Sequence, residues 1–261
     1  RLRGTAANQD GCPSGAGAIR RFRAQHPALF RATGFGIHPY PLNLPPTEAD
    51  STDPDYVEFS EIPRLEHALD RLQRTYGSGR RLSIYNTEYG YITDPPNHAD
   101  HFVSPATAAR YLNWAEYLSW RDPRVATTMQ YLLVDPNPVV NVPEFGGFAT
   151  GLILFGGKRL PTYSAYRMPI FLPRGRARRG RPVEVWGCVR PAHAAFGPQR
   201  VAIQLLPAHG PWRTIATVPI RSARGYFDVR VKFPSSGAVR LAWPDPGGPL
   251  IYSRTAQVTL R

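Results

Sequence analysis

Along the first two thirds of the chain, apolar positions switch repeatedly between helical spacing and short strand-like runs. Residues 14–30 keep helical spacing, with Ile19 and Phe22 on one face and Pro27 breaking the run near its end. Residues 60–76 carry Ile62, Leu65, Leu69, Leu72 and Tyr76 at helical intervals, with Ser60 as a cap, Pro63 in the first turn and Gly77 and Gly79 beyond the end. Residues 104–120 form a third helix, capped by Ser104 with Pro105 at its first position, and residues 161–168 a short fourth. Between them lie strand-type runs at 34–37, 82–87, 125–134 and 151–155. Alternation of this kind over 14–170 predicts a parallel sheet covered by helices.

After Leu172 the texture changes. Residues 174–181 read as an Arg/Gly linker, followed by short runs at 183–186, 201–206, 214–220, 226–233, 238–243 and 256–260. Strict alternation is clearest in Phe227-Asp228-Val229-Arg230-Val231-Lys232-Phe233, and Gly225, Gly237 and Gly247-Gly248 mark turns. Six strands without a helix signal predict a small β-sandwich of immunoglobulin or fibronectin type. The expected organisation is α/β then all-β: 1–173, a linker at 174–181, and a β-sandwich at 182–261.

Composition sharpens this division. The chain has 261 residues, with 28 Pro and 23 Gly, enough for one large domain or two ordinary ones. Its formal charge is +13, and only Lys158 and Lys232 among the 32 basic residues are lysine. Residues 1–173 hold 17 basic and 16 acidic side chains, whereas residues 174–261 hold 15 and 3. The excess therefore belongs to the last third. Its arginines are scattered rather than laid on one helix, and no basic, aromatic-interleaved motif points to nucleic acid. An acidic polysaccharide is the partner this charge would attract. No apolar run reaches the ~18 residues of a spanning helix. Cys12 and Cys188 make neither a disulfide framework nor a zinc site. The chain starts at Arg1, which reads as a processed form or a fragment.

In parallel α/β folds, chemistry collects where strands end. Three strand ends carry functional side chains here: His38 and Tyr40; Glu88 with Tyr89 and Tyr91; and Gln130, Tyr131 and Asp135. His38 and Glu88 are 50 residues apart and Glu88 and Tyr131 are 43 apart, one βα unit in each case.

These segments resemble the last three strands of a clan A glycoside hydrolase (β/α)8 barrel. Thr87-Glu88-Tyr89-Gly90 resembles the clan's T-E-x-G at the seventh strand, and His38-Pro39-Tyr40 its H-x-Y at the sixth. The segment from Gly151-Leu152 through Gly157-Lys158 to Tyr166 is similar to its closing G-x-x-K-P-x-Y-x-A run, with Arg159-Leu160 inserted between Lys158 and Pro161. The resemblance implies a partial (β/α)8 barrel and a retaining glycoside hydrolase acting on a poly- or oligosaccharide, with Glu88 as nucleophile and no cofactor or metal. Tyr40 or Tyr89 would hydrogen-bond the carboxylate, while His38, Tyr40, Tyr89, Tyr131 and Asp135 would line the sugar subsite. The clan's N-E-P acid/base triplet is absent and only about three of eight strand–helix units are present. The expectation is thus an incomplete, poorly active C-terminal portion of a secreted or extracellular enzyme. The rival expectation is a non-catalytic glycan-binding protein.

Weaker signals read as structure. Glu144 lies after the last strand and reads as loop surface, and so do His98 and His101 with Asp94 and Asp100. The acidic run 48–58 lacks calcium-loop spacing. Trp114, Tyr117 and Trp120, and Trp186, Trp212 and Trp243, read as core.

Overall fold

The computed structural model describes residues 15–53, 55–94, 102–137, 148–191 and 197–261. It is a mixed α/β structure in which strand exceeds helix. Helices α1 (Ala16–Gln25) and α2 (Pro27–Arg31) meet at His26, because Pro27 cannot continue α1 but suits the first position of α2. Phe22, Phe30 and Tyr76 pack as a small aromatic cluster beneath them.

Three strands form the first sheet: β1 (Gly34–Ile37), β2 (Ser83–Tyr89) and β3 (Val125–Gln130), all parallel and in that order. The sheet curls into half a barrel. Helices α3 (Ile62–Thr75) and α4 (Pro105–Arg121) connect the strands, as the alternation predicts. Ser104 Oγ accepts the Thr107 N–H at the start of α4, as expected of a cap. At α3 the cap is different. A 3-10 turn, Phe59–Glu61, precedes the helix, and Glu58 forms a capping box with Glu61 in place of the expected Ser60 cap. Ile62, Leu65, Leu69, Ile84, Leu112 and Ala115 form the core between sheet and helices.

Strand β3 ends four residues before the expected 134. Beyond it the chain pairs with a new partner: Leu152 N–H donates to Leu132 O, Ile153 N–H to Leu133 O and Asp135 N–H to Ile153 O. Helix α5 (Pro161–Arg167) then packs on α4.

The remaining chain is all strand among the described residues. Strands β4 (Ile170–Phe171), β6 (Val183–Cys188) and β9 (Tyr226–Val231) make one antiparallel sheet. A second sheet runs β5 (Arg176–Ala177), β12 (Ala256–Leu260), β10 (Gly237–Pro244), β7 (Gln199–Pro207) and β8 (Arg213–Ile220), with β11 (Leu250–Tyr252) on β10. Val185, Phe227 and Val231 from the first sheet share one apolar cluster with Ile203, Leu241 and Trp243 from the second. Residues 174–181 supply β5, which pairs in parallel with β12. Trp186 and Trp243 are core as expected, but Trp212 is half-exposed on the outer surface.

Helix α4 joins the two parts. Trp114 stacks on Phe171, and Tyr117 meets Trp186 edge-on at 5.6 Å. Behind these rings Glu116 pairs with Arg190 and accepts the Tyr226 hydroxyl at 2.8 Å. Among the described residues no helix is long and apolar enough to cross a membrane.

Candidate functional site

Parallel pairing of β1 with β2 sets Ile37 beside Asn86, so the residues that follow emerge at the same sheet edge. On β1 these are His38 and Tyr40, shaped by a tight turn in which Tyr40 N–H donates to His38 O. On β2 they are Thr87 and Glu88. Leu82, Ile84 and Asn86 point into the core, and an ordinary strand would next send Glu88 the same way. A β-bulge intervenes: β2 advances three residues, Asn86 to Tyr89, while β3 advances two, Thr128 to Gln130. The core-facing positions therefore become Tyr89 and Tyr91, and the Glu88 side chain remains 31% exposed.

The Glu88 carboxylate meets two groups. Tyr40 Oη donates to Glu88 Oε2 at 3.1 Å, and His38 Nδ1 lies 3.4 Å from the same oxygen. Tyr40 is buried, and burial followed by the Glu88 charge pushes its phenol far above its ordinary range. It therefore stays protonated and serves as a fixed donor. His38 is half exposed and turns its Nδ1 toward the same carboxylate oxygen.

Phe148, which the sequence pattern does not single out, completes the surroundings. Its ring meets Tyr40 edge-on at 4.6 Å and lies 6.1 Å from the Tyr131 ring. Its φ of 56° is in the left-handed region, uncommon for a bulky side chain and found where packing over-determines the backbone. Tyr56 Oη donates to Tyr40 O and fixes the same loop. No periodicity marks Phe148, because it lies in a turn rather than in a helix or strand.

His38, Tyr40, Glu88 and, through Phe148, Tyr131 thus come together. Tyr89 and Asp135 do not. Tyr89 is turned inward by the bulge, packing on Phe59 and sharing a 2.9 Å hydroxyl–hydroxyl bond with Tyr91, whose Oη donates to Leu44 O. Asp135 is buried and accepts the Gly151 N–H at 2.7 Å. A Cβ at Gly151 would stand 2.4 Å from Asp135 Oδ1, so this close approach requires glycine. Gly90 is similarly confined, its absent Cβ falling 2.6 Å from Tyr131 O. Gln130 spends its amide N–H groups on Tyr131 O and Thr150 O, and so ties these two positions together rather than serving the site.

A cavity of about 570 Å³ opens elsewhere, lined by Pro46, Phe59, Ile62, Leu118, Pro123 and Val125, and none of the Glu88 group borders it. Glu88 lies instead at an open edge of the sheet. Among the described residues no three His, Cys, Asp or Glu side chains gather into a metal-holding group. His98, His101, Asp100, Glu144 and Cys12 lie outside the described residues.

No protein-family model matches the chain, and a search of the curated proteins finds no match. What the geometry offers is a carboxylate nucleophile or acceptor oriented by a phenol that cannot ionise at neutral pH.

Proposed function

We propose that the chain carries the nucleophile side of a retaining glycoside hydrolase: the C-terminal part of a (β/α)8 barrel followed by an immunoglobulin-like β-sandwich. One observation carries this reading. Glu88 stands at the carboxyl edge of a parallel sheet with Tyr40 Oη 3.1 Å from its Oε2, and Tyr40 comes from the end of the neighbouring strand. The sheet edge is where α/β enzymes keep their reacting groups.

In this reading Glu88 attacks the anomeric carbon as the bond to the leaving oxygen breaks, giving a glycosyl ester that water then hydrolyses. Tyr40 holds the carboxylate by a charge-assisted hydrogen bond and aims one oxygen at the sugar. His38 and Tyr131 border the sugar, with Phe148 beneath Tyr40. The partner acid/base carboxyl of a retaining pair stands about 5–5.5 Å from the nucleophile. Among the described residues a phenol and an imidazole touch Glu88, and the sequence holds no N-E-P triplet, so the reading assigns the acid/base to barrel strands that these 261 residues do not contain. The substrate is a poly- or oligosaccharide, no cofactor takes part, and the enzyme works outside the cell.

A 2-deoxy-2-fluoro glycoside with a dinitrophenolate leaving group needs no acid assistance and tests the nucleophile in this chain directly. Expected is the mass of one fluoroglycosyl group on the Glu88 peptide with a gluco, galacto or xylo reagent, and none in Glu88→Gln. A chain that stays unlabelled by all three, alone and with upstream sequence restored, or that labels equally in Glu88→Gln, overturns the proposal. A non-catalytic glycan binder would then be the surviving reading.

A further inference from the structure

The outer surface of the larger C-terminal sheet carries an ordered polar ladder that the Glu88 site does not use. Gln204 on β7 faces Arg240 on β10 and Thr214 on β8 in the strand register. Arg240 Nε donates to Gln204 Oε1 at 2.9 Å, and Gln204 Nε2 reaches Thr214 Oγ1 at 3.4 Å. The Arg240 guanidinium lies 4.0 Å from the Trp212 ring centroid and 3.8 Å from that of Tyr252. Two aromatic contacts and one hydrogen bond hold the group in a single orientation, and among the described residues no protein acceptor takes its Nη atoms.

The charge around this ladder is one-sided. The acidic side chains of residues 174–261 are Glu184, Asp228 and Asp245. Glu184 and Asp228 belong to the other sheet, where Glu184 pairs with Arg230 and accepts the Tyr117 hydroxyl. Asp245 pairs with Arg167 of α5 at 2.8 Å. Arg240 thus presents a fixed cation, without a carboxylate partner among the described residues, between two rings, one of them on a tyrosine that is 41% exposed.

We propose that Trp212, Arg240 and Tyr252, with Gln204 and Thr214, form a binding site for a carboxylated glycan chain, separate from the Glu88 site. Arg240 takes a uronate carboxylate through its Nη pair, the rings carry the apolar faces of neighbouring sugars, and the amide and hydroxyl take sugar hydroxyls. The choice of a glycan over other polyanions rests on the hydrolase reading; the anion site itself rests on this geometry.

Binding of the full chain to polygalacturonate, measured by titration calorimetry beside neutral dextran and single-stranded DNA, tests it. Arg240→Gln is expected to weaken polygalacturonate at least tenfold and Tyr252→Leu at least threefold. Arg221→Gln, which removes an exposed charge after β8, and Glu88→Gln are expected to change it less than twofold. Equal weakening by Arg240→Gln and Arg221→Gln means diffuse attraction and overturns the site. Absent binding, or tighter binding of DNA with the same Arg240 dependence, overturns the glycan. Loss of binding in Glu88→Gln alone would move the glycan to the other site, whereas unlabelled Glu88 with intact Arg240-dependent binding would sink the hydrolase reading only.

Discussion

Asn113, midway along α4, and Arg254, between β11 and β12, are joined by a 2.6 Å bond from the guanidinium Nε to the amide Oδ1, across 141 residues of chain. The same Asn113 donates to Ala165 O and accepts the Ile170 N–H, while Arg254 Nη2 donates to Ile170 O and Nη1 to Thr255 O. Burial lowers the Arg254 pKa to about 10, so it remains a cation at neutral pH. Arg254→Ala removes the guanidinium donors to Ile170 O and Asn113 Oδ1 and is expected to destabilise the fold by about 2–4 kcal/mol. Urea unfolding followed by tryptophan fluorescence measures it; a loss under about 0.5 kcal/mol would show that the pin is mechanically idle.

Tyr40→Phe removes the donor to Glu88 and keeps the edge contact with Phe148. Labelling of Glu88 by the activated fluoroglycoside is expected to slow about 10- to 100-fold, matching about 1.5–3 kcal/mol for a charge-assisted hydrogen bond. Thermal unfolding should move little. An unchanged labelling rate would detach Tyr40 from the nucleophile.

Burial raises the Asp135 carboxyl pKa, against the opposing pull of the Gly151 N–H. The native chain then keeps this proton to higher pH than the unfolded chain does. Where the unfolded state binds fewer protons, stability falls as pH rises. The fall begins near the ordinary Asp value of about 3.9 and ends above the raised native value. Asp135→Asn keeps an acceptor for Gly151 and should make the urea midpoint fall less over that window. Some fall remains, because burial also raises Glu58, Glu66 and Asp228. Asp135→Ala, which loses the acceptor, should cost about 1–3 kcal/mol at pH 7. An identical pH slope in Asp135→Asn would contradict this account.

Cys188 is buried, lies against Arg224 O and Val189 O, and its thiol is pushed up to about 12. At pH 8 only about one molecule in 10⁴ carries the thiolate that reacts. In a Cys12→Ser background, iodoacetamide should leave the native protein unmodified for hours and label it once in denaturing urea. Rapid native labelling would refute the burial.

The elements were legible in the sequence because their caps and periods are local. Pro27 marks a helix break, Ser104 and Pro105 a helix start, and Phe227 to Phe233 a strand. The meeting of His38, Tyr40 and Glu88 was also legible, since strand ends of a parallel sheet share an edge. Tyr89 departs from the expected sugar-lining position for a physical reason: a two-residue period does not reveal an inserted residue, and the bulge at 87–88 reverses the parity beyond it. Asp135 reads as site chemistry until its partner, Gly151, is known, and that contact joins positions 16 residues apart. Phe148 and the stack at Arg240 depend on contacts between distant segments, which no local pattern encodes. Trp186 and Trp243 lie within strands and face the core, whereas Trp212 precedes β8 and sits on the outer surface.

The bulge in β2 also separates two demands on the same strand. Inward positions run Leu82, Ile84, Asn86 before it and Tyr89, Tyr91 after it. Removing one residue between Asn86 and Tyr89 would join these runs into a single regular strand with its core side chains intact. Such a shortened chain would keep a sound sheet but present one outward side chain at this point, Thr87 or Glu88, in place of two. Hydrophobic burial alone therefore gives no reason to retain the extra residue, and the side-by-side presentation of Thr87 and Glu88 is an addition to the fold rather than a by-product of it.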